Sequence, residues 1–99
     1  MLNIKKESNG TELTVALEGR LDTTTAPEFE NEIKESLSDV TELVLDLSNL
    51  EYISSAGLRV LLSTQKKMNT QGSMVVRNAR EEVKEIFEVT GFADILTLE

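Results

Sequence analysis

Ninety-nine residues, 39% of them apolar and 28% charged, fit one domain spanning residues 1–99 and bury roughly 60–70% of the surface the unfolded chain exposes. A net charge of −8, from 18 acidic and 10 basic side chains, opposes non-specific binding to nucleic acid or to an anionic membrane and suits a partner with a basic docking face. The absence of Cys and His excludes disulfides and thiolate chemistry, and removes both the usual neutral-pH base and the commonest zinc ligand.

No apolar stretch approaches the roughly 20 residues of a membrane span. The start, Met1-Leu2-Asn3-Ile4-Lys5-Lys6, lacks the apolar core of a signal peptide, so a cytoplasmic location is expected. No linker, repeat or low-complexity tract interrupts the pattern.

Leu2 and Ile4 alternate toward Asn9-Gly10, a strong hairpin signal, and Leu13, Val15 and Leu17 alternate after it. The first two strands should therefore pair antiparallel. Thr25-Ala26-Pro27-Glu28 has the form of a capping box with Pro in the first helical turn. Phe29, Ile33 and Leu37 then define one apolar helix face. Leu43-Val44-Leu45-Asp46-Leu47 reads as a central parallel strand. Leu58, Leu61, Leu62 and Gln65 sit at helical spacing, with Gly72 where that helix ends. Met74-Val75-Val76 reads as a strand, and Asn78 with Glu81 as a cap pair for a third helix facing inward through Val83, Ile86, Phe87 and Thr90. Ile95, Leu96 and Leu98 form the last predicted strand.

The predicted order is β-β-α-β-α-β-α-β: an α/β domain with a mixed, mostly parallel five-stranded sheet and about three helices. Functional loops of such sheets gather at the carboxyl ends of the strands. Three segments leave that rim: Gly19–Thr24, Ser48–Gly57 and Arg77–Arg80.

The middle segment is the most informative. Ser54-Ser55-Ala56-Gly57 opens the second helix. One Ser has an evident role as N-cap. Small residues at this place admit close approach, and a helix N-terminus favours anions through its free N–H groups and dipole. A phosphate on an exposed Ser here would be tolerated by the domain and would add about −1.5 to −2 charges. A partner packed on the loop would then meet new bulk and charge. Arg59 lies one turn beyond Ser55, and Arg77 and Arg80 leave the same rim; all three suit either solvent or an anion. Asp46 with Asp22 is a further candidate, for a carboxylate dyad. No Gly-rich phosphate loop is present, and no cofactor or metal is expected.

At these residues the chain resembles a known family. Asp46-Leu47-Ser48-Asn49-Leu50-Glu51-Tyr52-Ile53-Ser54-Ser55-Ala56-Gly57-Leu58 looks like the signature of STAS domains, in particular bacterial anti-sigma factor antagonists, and Gly19-Arg20-Leu21-Asp22 matches their second segment. The resemblance implies a partner switch rather than an enzyme. The unmodified antagonist binds an anti-sigma factor that is also an ATP-dependent serine kinase, which releases a sigma factor. Phosphorylation of the antagonist breaks the complex, and a PP2C-type phosphatase restores it. Aligned on Gly57, the family's phosphorylated Ser falls on Ser55; Ser54 stands where the family carries Asp, and is a competing acceptor. Taking the rim segments and the resemblance together, the expected partner contacts are Asp22, Thr23, Thr24, Ser54, Ser55, Ala56, Gly57 and Arg59, with Asp22 serving either the partner or its own turn. Two other readings stand beside this one: a STAS interaction module without a phosphoswitch, in a transport or signalling complex, and a small enzyme or metabolite-binding domain.

Overall fold

The computed structural model describes residues 2–99. After an initial hairpin the chain alternates strand and helix: β1 (Leu2–Asn9), β2 (Glu12–Leu21), α1 (Ala26–Ser36), β3 (Glu42–Ile53), α2 (Ser55–Gln71), β4 (Ser73–Arg77) and α3 (Glu81–Thr90), then a 3₁₀ turn at Phe92–Asp94. The sheet order is β1-β2-β3-β4, with β1 antiparallel to β2 and the other neighbours parallel. This is the α/β architecture expected from the sequence, with four strands where five are predicted.

The missing strand has a local cause. Residues after α3 are taken up by the 3₁₀ turn, and Ile95 still has helical φ/ψ (−92°, −40°). Only the end of the segment is extended. It makes one parallel bridge, Val76 to Leu98, held by Val76 N–H to Thr97 O and Glu99 N–H to Val76 O, both at 2.8 Å. Leu96 is buried there, while Ile95 stays exposed.

Period-two alternation sets the core. Leu13, Val15 and Leu17 of β2, Leu43, Leu45 and Leu47 of β3, and Met74 and Val76 of β4 are all buried. Their neighbours Thr14, Ala16, Val44, Asp46 and Val75 are only half-buried. Phe29 and Ile33 of α1, Leu58, Leu61 and Met68 of α2, and Val83 and Phe87 of α3 complete the buried set. Burying each such side chain is worth roughly 1.5–3 kcal/mol.

Three local expectations change. The hairpin loop is Gly10-Thr11, one residue later than Asn9-Gly10, because Asn9 pairs with Glu12 and Gly10 supplies the positive φ of 64° at the first loop position. Thr25 caps no N–H of α1; its hydroxyl is engaged in the preceding loop instead. Asn78 is not the cap of α3 either. Arg80 holds that position without a side-chain bond, and Asn78 turns the chain at φ 62°.

Long-range contacts fix where α2 ends. The Gln71 side-chain amide donates to Leu37 O at 2.8 Å and Val40 O at 2.6 Å. Gly72 then passes so close to the residue that leads into β3 that a Cβ would lie 1.8 Å from Thr41 O.

Candidate functional site

Leu47, Leu50 and Ile53 are buried three residues apart, a spacing that conceals the strand in the sequence. β3 nevertheless continues to Ile53 because its second half pairs with β2 through two register shifts, giving Glu18↔Asn49, Gly19↔Leu50, Arg20↔Tyr52 and Leu21↔Ile53. The irregularity follows Asp46, whose Oδ1 accepts the Ser48 N–H at 3.0 Å. That bond, foremost, holds the Asp46 carboxyl below the usual aspartate range.

The predicted loops are correspondingly shorter. β2 runs through Leu21, and β3 reaches α2 through the single residue Ser54. Ser54 N–H donates to Leu21 O at 2.8 Å, which fastens the two carboxyl ends side by side.

The two serines separate cleanly. Ser54 is the N-cap, extended at φ −94°, ψ 175°, and its hydroxyl accepts the Gly57 N–H at 3.3 Å. Its carbonyl accepts the Leu58 N–H at 2.9 Å. Ser55 is the first helical residue and is exposed, and among the described residues its hydroxyl has no hydrogen-bond partner. Arg59 is exposed one turn further on. Ala56 is half-buried against the core.

Gly57 departs from its predicted place among the partner contacts. It is buried, and a Cβ there would lie 2.8 Å from Leu21 Cγ and 2.9 Å from Ile53 Cγ1. The close approach expected at this glycine is therefore made by the protein's own strand ends, and Gly57 acts as a spacer.

The opposite wall is the Asp22–Thr25 loop. Asp22 Oδ1 accepts Thr24 Oγ1 at 2.7 Å, Thr24 N–H at 3.0 Å and Thr25 N–H at 3.1 Å. These bonds, the Thr24 hydroxyl foremost, hold the carboxyl below the usual aspartate range. Thr25 Oγ1 in turn accepts Asp22 N–H at 2.8 Å and donates to Arg20 O at 2.9 Å. Of the two roles open to Asp22, the turn is thus built into the fold. Thr23 and Thr24 are exposed at its tip.

Arg20 and Tyr52 lie within the predicted rim segments but are not among the predicted contacts. They face each other across β2 and β3, with the guanidinium carbon 4.4 Å from the ring centroid, and Arg20 Nε lies 3.9 Å from Asp22 Oδ2. Thirty-two positions part them in the chain, so no local signal joins them.

Arg77 and Arg80 do not join the rim as free cations. Arg77 binds Glu99 at 2.8 Å, and Arg80 lies 3.8 Å from Glu82. The Asp46–Asp22 dyad does not form: Asp46 pairs with Ala16, five residues before the end of β2, and Asp22 lies just beyond that end, a separation of about 15–20 Å. Among the described residues, no group of three His, Cys, Asp or Glu is placed to hold a metal, and no helix is long and apolar enough to cross a membrane.

Comparison with known proteins agrees with this geometry. The STAS domain family model matches residues 3–99. BtrV of Bordetella bronchiseptica, provisionally named an anti-sigma factor antagonist, is 38% identical over 85 residues, covering 84% of this chain and 73% of that protein. The anti-sigma-B factor antagonist of Bacillus subtilis is 26% identical over 98 residues, covering 98% and 90%. Among solved structures, an anti-sigma factor antagonist from Mycobacterium paratuberculosis superposes with a TM-score of 0.90 at 28% identity, over 99% of this chain and 85% of that one. Bacillus SpoIIAA in its phosphorylated form shares the fold, with a TM-score of 0.76 at 16% identity over 98% and 91%.

Proposed function

This chain belongs to the STAS domain family, and on that premise we propose that it is an anti-sigma factor antagonist: it docks on an anti-sigma factor through the rim of Asp22–Thr24, Ser54–Ala56 and Arg59, and phosphorylation of Ser55 ends the contact. It works as a regulatory binding protein and not as an enzyme.

The observation that carries the reading is the division of labour between adjacent serines. Ser54 spends its hydroxyl on the helix cap, while Ser55 stands exposed at the first turn with its hydroxyl uncommitted. A kinase needs the second kind of group. The partner would be an anti-sigma factor with serine kinase activity: the γ-phosphoryl of ATP passes to Ser55 Oγ, leaving ADP, and the hydroxyl proton goes to a base of the kinase. A PP2C-type phosphatase would reverse the switch by directing water at the phosphorus and releasing inorganic phosphate.

The helix explains why the fold survives. Free N–H groups and the dipole at the start of α2 favour an anion. Arg59 lies one turn away to meet it. The docked partner has no such allowance: about −1.5 to −2 charges arrive in a contact closed to water. Tyr52, exposed beneath Arg20, adds an aromatic anchor of the type that dominates binding energy at interfaces.

The test is phosphosite mapping by mass spectrometry after incubation with the cognate anti-sigma factor and ATP. Phosphate on Ser55 alone is the expected result. Phosphate on Ser54 or elsewhere overturns the site, and complex formation without any phosphate assigns the chain to the interaction modules that lack the switch.

A further inference from the structure

We propose that the trough between α1 and α2 is a docking surface for an acidic amphipathic helix of the partner protein. This rests on the reading of the rim as the partner's docking site, and adds the chemistry of what lies beyond it.

The first observation is electrostatic. α2 carries Arg59, Lys66 and Lys67 and not one acidic residue, in a chain that has 18 of them. Among the described residues, none of these three cations has a carboxylate within 4 Å. Lys34 of α1 lines one hollow together with Lys67 and lies 4.0 Å from Glu30. Four cations against Glu30 make the trough +3, so the remaining side chains sum to −11 within the total of −8. The overall charge suggests a basic partner face; the trough reverses that locally.

The second observation is shape. Three hollows follow one another along the crease between the helices. One opens at the rim beside Thr23 and Ala56. The next lies around Arg59, Ser63 and Lys66. The third, of about 350 Å³, lies over the edge of the core at Ile33, Leu37 and Val60, each at most 5% exposed, and is edged by Lys34 and Lys67. Neighbouring hollows share Glu30 with Arg59, Val60 or Ser63, so they form one trough leading away from Ser55. From Ala56 to Lys67 it follows about 16 Å of helix, or three turns. A narrow apolar floor between exposed basic edges fits a helix that presents Asp and Glu to both edges and only small apolar residues to the crease.

The trough also gives the modification at Ser55 a longer reach. A phosphate there stands at the head of the trough, one turn before Arg59. It would compete for that guanidinium and repel an acidic helix lying beyond it.

The experiment is calorimetric titration of the cognate anti-sigma factor into the unmodified protein and into a Lys66→Glu/Lys67→Glu variant, with circular dichroism verifying the variant's fold. Both lysines are exposed, so the fold should be spared. Binding should weaken at least tenfold in the variant and lose much of its salt dependence. Equal binding by both proteins overturns the trough while leaving the rim reading intact. No binding by the unmodified protein overturns the rim reading, and this inference with it. As a second measurement, a photo-crosslinking residue replaces Ser63. Crosslinks to an acidic helical segment of the anti-sigma factor are expected. Crosslinks to a basic or non-helical segment, or to the acidic α3 of a second copy of this chain, overturn the assignment.

Discussion

The N–H of Ser54 donates to the carbonyl of Leu21 at 2.8 Å, and this bond joins the ends of two parallel strands from opposite halves of the rim. It seats Ser54 as the only residue between β3 and α2, and sets Asp22 immediately after its partner. The cap of α2 and the turn before α1 are therefore built on one shared rung. The rim owes its geometry to the sheet more than to its own loops.

The two serines should respond oppositely to substitution. Ser54→Ala removes the cap and should cost about 1 kcal/mol of stability, within a range of roughly 0.5–2. Ser55→Ala should leave the melting temperature unchanged and abolish phosphate incorporation while keeping the partner bound. Ser55→Asp should weaken partner binding at least tenfold without unfolding the protein. Thermal melts and titrations on the three variants check this. A Ser55→Ala variant that melts as low as Ser54→Ala would assign the cap to the wrong residue.

Asp22 should make the rim acid-sensitive. Its folded-state pKa is depressed, so its stabilisation is complete above the ordinary aspartate value of about 3.9 and is lost as pH falls through the lower folded value. Asp22→Asn keeps an acceptor oxygen but not the charge. The native protein should melt higher than the variant near neutral pH, and the difference should shrink toward zero in acid. A difference that stays constant across the titration would show that the charge contributes nothing.

Glycine at 57 and 72 should be required for space. Gly57→Ala puts a methyl group 2.8 Å from Leu21 Cγ, and overpacking of this kind costs typically 1–3 kcal/mol. Gly72→Ala should be worse, because its Cβ would meet backbone at Thr41 O and not a side chain that can turn aside. Denaturant unfolding of the two variants ranks them. Equal, small losses would mean that the β3–α2 joint and the end of α2 have room to relax.

Tyr52 should matter for binding and little for folding. The ring is exposed beneath Arg20 at the edge of the site. Tyr52→Ala should raise the dissociation constant of the anti-sigma factor complex by tenfold or more, about 1.4 kcal/mol. Its unfolding midpoint should barely move. Unchanged affinity would place Tyr52 outside the interface.

Much of this molecule is readable from neighbouring residues alone. Alternation of Leu13, Val15 and Leu17 marks β2, the four-residue spacing of Phe29 and Ile33 marks α1, and the pair Ser54-Ser55 marks the start of α2. Such signals survive in the sequence because they arise from the periods of strand and helix, within a few residues of one another. What the tertiary structure decided lies between distant segments. β3 runs to Ile53 because β2 pairs with it, although its apolar residues there are spaced by three. Thr25 serves the Asp22 loop because Arg20 O is within its reach, and Gly57 is a spacer because Leu21 and Ile53 converge on it. Leu21 and Gly57 are 36 positions apart, and Lys67 of α2 meets Lys34 only across the crease with α1. Contacts of that separation depend on how the sheet is paired and the helices laid upon it, and only the folded chain brings their atoms together.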